Sequence, residues 1–348
     1  MRTANLVNWF FKGVGFLFLL SCSSLSEIEV DVLRPAEYSV PPEILSVVVV
    51  DHAFPFKNDS IYSIKMGDEL DIIDSIDVDY FGQIATEALS VDLLERRFFD
   101  DVYFEADPFN VPPHGRKGKS LSRHRIDSLL NEYDAQAVIA LKDIKYSKQA
   151  EVMDMGDFFY ATLDAYGSLL WKMYDERGYL MNIDMQKDTI FWDTARATNT
   201  REQRRLPSFR EATEILAEFM GREYANYVAP YYKTENRYYY TSGHPVFSNA
   251  NELVRENSWE EAAKVWYFVF EEGSEKQKAR SALNLALSFE VRGEFEEAAA
   301  WVEISKNYFE ELSGINVSQF EREYLEYYNN VLDERISEAE KLQKQIGG

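Results

Sequence analysis

One cysteine, Cys22, and four histidines are all that this 348-residue chain offers to thiol or imidazole chemistry. A lone cysteine excludes an intrachain disulfide, and nothing remains for a zinc cluster or a dithiol redox pair. His52, His114, His124 and His244 stand at no spacing that puts two on one helix face, and none neighbours a cysteine. A metal site is therefore not expected. Basic residues are also outnumbered: 37 Lys+Arg against 60 Asp+Glu leave a net charge of −23 at pH 7. Such a field repels phosphate backbones, so nucleic acid is not an expected partner. What the chain does have is apolar bulk, with 46% hydrophobic and 15% aromatic residues. That suffices for real cores, and the length suggests two domains.

Residues 1–22 read MRTANLVNWFFKGVGFLFLLSC. Arg2 and Lys12 make a positive leading region, and Gly13 to Leu20 form an apolar run. The run falls well short of the roughly 20 apolar residues a spanning helix needs. Leu19-Leu20-Ser21-Cys22 resembles the bacterial lipobox, in which an aliphatic residue and a small residue precede the cysteine that receives diacylglycerol. The reading implies a signal peptide over residues 1–21 and lipidation (palmitate and related acyl chains) at Cys22, with each buried CH₂ contributing about 0.8 kcal/mol to membrane retention. Ser23 and Ser24 follow the cysteine where an inner-membrane retention signal would want Asp, which points to the outer membrane, facing the periplasm.

Residues 22–43 carry Pro35, Pro41 and Pro42 without periodicity and are expected to be a tether or an extended lead-in. Residues 44–230 are expected to form an α/β domain with a mixed sheet. Ile44–Val50 is a β-branched run suited to a strand buried on both faces. Residues 57–77 look like an irregular polar insertion. Phe81, Ile84, Ala85, Ala88 and Val91 recur at helical spacing. A strand near Asp101–Ala106, a basic loop over 108–119, a helix near Ser122–Tyr133 and a strand at Ala137–Leu141 follow. Phe159 to Met173 alternates with period two, its odd positions apolar. Asp175-Glu176-Arg177-Gly178 is a tight turn, and Tyr179, Met181, Ile183 and Met185 return with the odd face inward. Parity slips before Ile190 and Trp192, which suggests a bulge near 187–189. Ser208 with Glu211 three later is a capping box opening the next helix.

Residues 231–246 are expected to be an aromatic linker, and 247–348 a tetratricopeptide-like helical repeat domain with a capping helix at its end. At an offset of 36, Ala250 aligns with Ala286, Asn257 with Gly293, Trp259 with Phe295 and Ala262 with Ala298. WEEAA and FEEAA are near-copies, as stacked helical pairs require. In the linker, Arg237, Tyr238, Tyr239 and Tyr240 are candidate partner contacts, since tyrosine and arginine are favoured at binding hot spots; domain packing is the competing use of such a run.

No catalytic constellation stands out, and no cofactor is expected. Gly118-Lys119-Ser120 resembles the end of a phosphate-binding loop, but Pro113 stands where that loop needs its first glycine, so a solvated basic loop fits better. No GxSxG occurs, and carboxylates are too abundant to single out an acid–base pair.

The first half resembles the domain shared by the curli-secretion-channel subunit, the N-terminal part of TolB and lipoprotein activators of peptidoglycan synthases. The resemblance rests on SVVVVDHAFPF, LLERRFFDDVYFEAD, YDAQAVIALKDI and the hairpin YGSLLWKMYDERGYLMN. With its RPAEYSVPPEI lead-in and terminal repeats, the whole chain resembles an uncharacterised lipoprotein family common in Bacteroidota. These motifs are structural and imply no catalytic residues; the chain also lacks an obvious pair of membrane-spanning hairpins, so a pore is not implied. The expected function is that of a non-enzymatic envelope lipoprotein, an assembly scaffold binding an envelope protein partner. A glycan- or small-molecule-binding lipoprotein is the alternative, and an envelope hydrolase stands behind both.

Overall fold

The computed structural model describes residues 25–53, 60–66, 69–73, 80–106, 121–197, 206–312 and 317–347. Its strands and helices begin with β1 (Leu25–Arg34), β2 (Ser46–Asp51), β3 (Ser60–Met66), β4 (Glu69–Ile73), α1 (Phe81–Arg96) and β5 (Asp101–Glu105). Next come α2 (Arg123–Tyr133), β6 (Ala137–Asp154), β7 (Phe158–Tyr174), β8 (Leu180–Ala197), α3 (Phe209–Val228) and β9 (Tyr231–Tyr240). The rest is helical: α4 (Phe247–Arg255), α5 (Trp259–Glu272), α6 (Glu275–Val291), α7 (Phe295–Glu311) and α8 (Gln319–Ile346). An α/β mixed-sheet region is thus followed by an all-α repeat region. Contacts divide the chain into a sheet unit, Asp31–Lys233 with Ser337 onward, and a helical unit, the chain up to Val30 with Thr234–Ile336.

The sheet unit is built on β2, whose SVVVV run is buried on both faces. β2 lies parallel to β5 on one side and to the first half of β6 on the other. Val47 and Val49 pack with α1 and α3, while Val48 and Val50 pack with α2, so three layers form. β-Branched side chains suit this doubly covered position. Residues 57–77, expected to be irregular, include β3 and β4, which pair antiparallel; β3 then runs parallel to the second half of β6. A bulge between Leu141 and Asp143 lets β6 serve both neighbours.

β7 pairs antiparallel with β6 and β8. Leu163, Ala165, Leu169, Trp171 and Met173 are buried, as the alternation demands, whereas Phe159 at the far end is 44% exposed. Gly178 takes φ +73° in the turn to β8, a conformation that favours glycine. β8 departs from the expected parity. The register shifts at once after the turn, where Met173 pairs with Asn182 and Tyr174 with Leu180, so Met181 is the extra residue. The bulge is therefore at Met181 and not near 187–189. One early insertion flips every later side chain: Ile183, Met185 and Phe191 are exposed, and Asn182, Asp184, Gln186 and Asp188 turn toward the helices. Trp171 Nε1 donates to Gln186 Oε1 at 3.1 Å, and Gln186 Nε2 donates to Met220 O at 2.9 Å, so the inward row is hydrogen-bonded.

In the helical unit the offset-36 repeat is realised in three dimensions. α4–α5 and α6–α7 are successive helical hairpins, with Trp259 and Phe295 each the first residue of a second helix. Ala250, Ala262, Ala286 and Ala298 are all fully buried. Asn257 (φ 58°) and Gly293 (φ 79°) occupy the same left-handed turn position in each copy. Within the lead-in (22–43) and the aromatic stretch (231–246), β1 and β9 are strands and pair as a two-stranded sheet. Leu25, Ile28, Val30, Tyr239 and Tyr240 join the core of the helical unit.

Candidate functional site

Arg237, Tyr238, Tyr239 and Tyr240 were the residues singled out for partner contact. Three of them are interior: Arg237 is 0%, Tyr239 4% and Tyr240 1% exposed. Tyr238 alone is half-buried, with its hydroxyl donating to Glu27 Oε1 at 3.2 Å. Of the two uses such a run can have, contact or packing, these side chains pack: β9 supplies core to the helices. Arg237 Nε donates to both oxygens of Glu290, at 3.1 and 3.0 Å, and its Nη2 reaches Glu290 Oε1 at 2.8 Å. Tyr328 Oη donates to Glu290 Oε2 at 2.7 Å. Burial alone would lower the guanidinium pKa; Glu290's hydrogen bonds and charge, helped by Glu235, outweigh it and push it up. A buried ion pair persists only with such complete satisfaction.

The same logic repeats three residues further along β9. Tyr240 Oη donates to Glu321 Oε1 at 2.6 Å, and Arg280 lies 3.7 Å from that oxygen and over the Tyr240 ring. Burial pushes the Glu321 carboxyl up, but bonds from Tyr240 and Ser318 and the charge of Arg280 bring it below its ordinary value. Asn284 holds the β9 backbone with both amide atoms, accepting from Tyr240 N and donating to Tyr240 O, each at 2.7 Å.

The sheet unit holds a cleft of about 950 Å³. Pro41, Pro42 and Leu45 line it from the lead-in, Arg96 and Arg97 from the end of α1, Asn226 from α3, Tyr231 and Tyr232 from β9, and Ile346 from α8. Arg96 is fixed: it pairs with Asp92, donates to Asn226 Oδ1 at 2.7 Å and Ala229 O at 3.1 Å, and lies over the Tyr231 ring. Arg97 ends α1 with φ 54°, and its guanidinium is exposed and unpaired among the described residues. Tyr232 is 73% exposed. The cleft offers an aromatic face, the exposed Arg97 guanidinium and walls of mixed polar and apolar side chains, the carboxylates of Glu95 and Glu223 among them. It can hold a polar or extended ligand, but it lacks a nucleophile paired with a base.

Two titratable groups that the sequence reading passed over sit elsewhere in the sheet unit. Asp51 ends β2, at the carboxyl edge of parallel strands where α/β folds commonly bind ligands. Burial raises its pKa to about 6, partly offset by the hydrogen bond from Ala53 N. Its carboxylate fills the space where a Cβ on Gly82 would sit. Lys148 points inward from β6, donating to Phe209 O at 2.8 Å and to Thr213 Oγ1; burial lowers its pKa to about 7. The signal for Asp51 was a carboxylate closing an all-valine run. Lys148 could have been found only by carrying strand parity past Leu141.

Cys22 and the basic loop with Gly118-Lys119-Ser120 lie outside the described residues, as does His114. His124 is exposed, and His52 and His244 are half-buried. Among the described residues no group of three or more His, Cys, Asp or Glu could hold a metal ion. No helix among them is long and apolar enough to cross a membrane.

A family model described as "Domain of unknown function (DUF8603)" matches residues 44–240, more than half the chain. The chain belongs to the DUF8603 family. A second model, "Domain of unknown function (DUF6340)", matches residues 248–334. The DUF8603 match ends with β9, although β9 packs mostly in the helical unit. Curated proteins give no match. A solved structure described as "Crystal structure of uncharacterized protein" is 10% identical, covers 56% of this DUF8603 chain and 95% of its own, and has a TM-score of 0.21.

Proposed function

We propose that this protein is a non-enzymatic envelope lipoprotein, held at the outer membrane by acyl chains on Cys22 and binding protein partners as an assembly scaffold. The observation that carries the binding half is an aromatic ridge on the second helices of the two repeats. Tyr267 and Phe268 on α5 are 50% and 55% exposed. Tyr267 and Phe270 both meet Trp301 of α7 edge-on, at 6.1 and 5.0 Å, and Phe270 meets Tyr308 at 5.8 Å. An apolar cluster of this kind at a solvated surface marks an interaction site, and tyrosine and tryptophan are the favoured anchors. The anchoring half rests on the LLSC sequence, and the resemblance to envelope lipoprotein families is in keeping with it. β1 begins three residues past Cys22, so an anchored chain has about 11 Å of slack before its folded body begins.

The test is a photo-crosslinking residue at Phe268 in intact cells, followed by purification, alongside palmitate labelling of wild type and Cys22→Ala. Recovery of one stoichiometric envelope protein, with label lost only in Cys22→Ala, is expected. Recovery of no protein, with an oligosaccharide retained instead, overturns the scaffold reading in favour of the alternative, a ligand-binding lipoprotein. The cleft with Tyr232 and Arg97 is the observation favouring that alternative.

A further inference from the structure

β8 closes one side of the seven-stranded sheet. It pairs with β7 along its length and with no other strand among the described residues. At 18 residues it far exceeds the usual strand of about 3–10. Such a row of N–H and C=O groups is a template for another strand, and proteins blunt it by shortness, proline, a bulge or charged side chains; of these β8 carries charges along its length, Asp184, Lys187, Asp188 and Asp193 among them. β8 contains neither proline nor glycine, and its one bulge lies at the turn. Its outward face presents Ile183, Met185 and Phe191, each about half exposed at 53%, 49% and 55%. An occupant must therefore supply both a strand and apolar cover.

The charges on β8 select that occupant. Two copies can pair antiparallel about a two-fold axis, and the residue on the axis fixes every opposition. An axis at Lys187 or Asp188 sets that residue against itself, and an axis at Gln186 sets Asp184 against Asp188; like charges directly opposed are unfavourable. An axis at Ile190 does the reverse. Each Lys187 then faces Asp193 of the second copy, twice by symmetry. Ile190 meets Ile190, and Met185 meets Ala195. Lys187 is exposed and has no ion-pair partner among the described residues, so it is available; Asp193 accepts from Tyr160 Oη at 3.0 Å through only one oxygen.

We propose that β8 is a dimerisation edge, on which a second copy of this chain pairs antiparallel about a two-fold axis at Ile190, with each Lys187 opposite the other copy's Asp193. The sheet then runs continuously through both copies. This goes beyond the anchoring and scaffold reading and does not depend on it.

Cys22 is the sole native cysteine, so an added thiol can be followed cleanly. Ile190→Cys, Gln186→Cys and Thr194→Cys are each placed in the full chain, oxidised in cells, and compared with the parent chain as the control for Cys22. Directly opposed residues in an antiparallel pair lie within disulfide reach, about 4.5–5.5 Å between Cα atoms. A band of doubled mass from Ile190→Cys, and not from the flanking positions, is expected. Light scattering on the purified mature chain should give a dimer. Lys187→Asp should abolish it, and adding Asp193→Lys should restore it, with circular dichroism reporting that each variant is folded. A monomer with no band at position 190, or a double variant that fails to recover, overturns the proposal. So does a band of equal strength at all three positions. An Ile190→Cys adduct with a protein of different mass also overturns it, by showing that the edge takes another partner.

Discussion

The two units solve the same problem with different materials. The sheet unit excludes water with aliphatic side chains from adjacent strands and helices: Val47–Val50, Leu89, Leu93, Ile139 and Leu169 are all fully buried. The helical unit buries charge. Arg237, Glu290 and Tyr328 form one closed network in its core, and Arg280, Glu321 and Tyr240 form another. An aliphatic core tolerates adjustment, because hydrophobic attraction has no direction. A buried ionic network is all or nothing, because each member left unpaired carries its full desolvation cost.

The largest predicted effect breaks the comparison at its sharpest point. Arg237→Ala leaves Glu290 buried with only Tyr328 to satisfy it, and should cost about 3–5 kcal/mol of stability in chemical denaturation of the mature chain. Replacing both partners, as Arg237→Met with Glu290→Leu, should cost less, since the Glu290 charge is no longer stranded, although Glu235 and the Tyr328 hydroxyl each lose a partner. If the double variant is as unstable as the single, the network does not behave as a unit.

The second prediction concerns the sheet unit's own buried charge, which is a liability rather than a knot. Asp51 has its pKa raised from 3.8 to about 6. A raised folded-state value means the carboxyl favours folding while protonated and loses that contribution as pH rises through about 6. Asp51→Asn keeps an oxygen for Ala53 N and removes the charge. It should stabilise the protein above pH 6.5 by up to about 3 kcal/mol, with the gain vanishing near pH 4. Urea midpoints at both pH values decide it; a gain independent of pH would refute the charge argument.

These differences also explain what could be read from the residues alone. Runs of one character report their own environment, so the valine strand, the capping box at Ser208 and the offset-36 repeat were legible with their boundaries. β1 carries the period-two signal in Glu27-Ile28-Glu29-Val30-Asp31-Val32, but the prolines just after it draw the whole stretch into a lead-in, and its partner β9 lies some two hundred residues away in sequence. The aromatic run stands out in the sequence, but its local pattern alone does not tell packing from contact. Arg237 reads as surface until Glu290 and Tyr328 are known to enclose it, and no local pattern connects the three. Parity in β8 failed for a narrower reason: a single extra residue, Met181, next to the turn inverts all that follows. The cleft is assembled from β1, the lead-in, the end of α1, α3, β9 and α8, and the motifs in these segments report structure and not a ligand.

The third prediction tests how tightly the aliphatic core is built. α1 and α3 cross where Gly221 faces α1, and a Cβ at 221 would run into the Ala85 carbonyl oxygen. That obstacle is backbone and cannot swing away. Gly221→Ala should therefore destabilise by about 1–3 kcal/mol despite alanine's better helix propensity. Gly167→Ala is the control: its Cβ would meet the Met220 sulfur, the end of a flexible side chain, and the loss should be smaller. Equal losses in thermal melts would mean the helix crossing is no tighter than the sheet contact.

The smallest effect compares one device used in both units. On α3 the cap is reciprocal: Glu211 N donates to Ser208 Oγ at 3.2 Å, and Ser208 N donates to Glu211 Oε2 at 2.6 Å. On α6 the return bond is strong, with Ser274 N donating to Gln277 Oε1 at 2.9 Å, while the serine hydroxyl shares that same oxygen at 3.1 Å. The Ser274 hydroxyl is thereby drawn to the glutamine side chain, and the backbone bond from Ser274 N survives its removal. Ser208→Ala should cost about 1 kcal/mol, and Ser274→Ala distinctly less. Hydrogen exchange in the first turn of each helix separates the two, since fraying there is local and precedes global unfolding. Faster exchange in α3 of Ser208→Ala, with α6 of Ser274→Ala little changed, is the expected pattern. The opposite ranking would place the stronger cap in the helical unit and leave the capping of α3 without the energetic weight its geometry assigns.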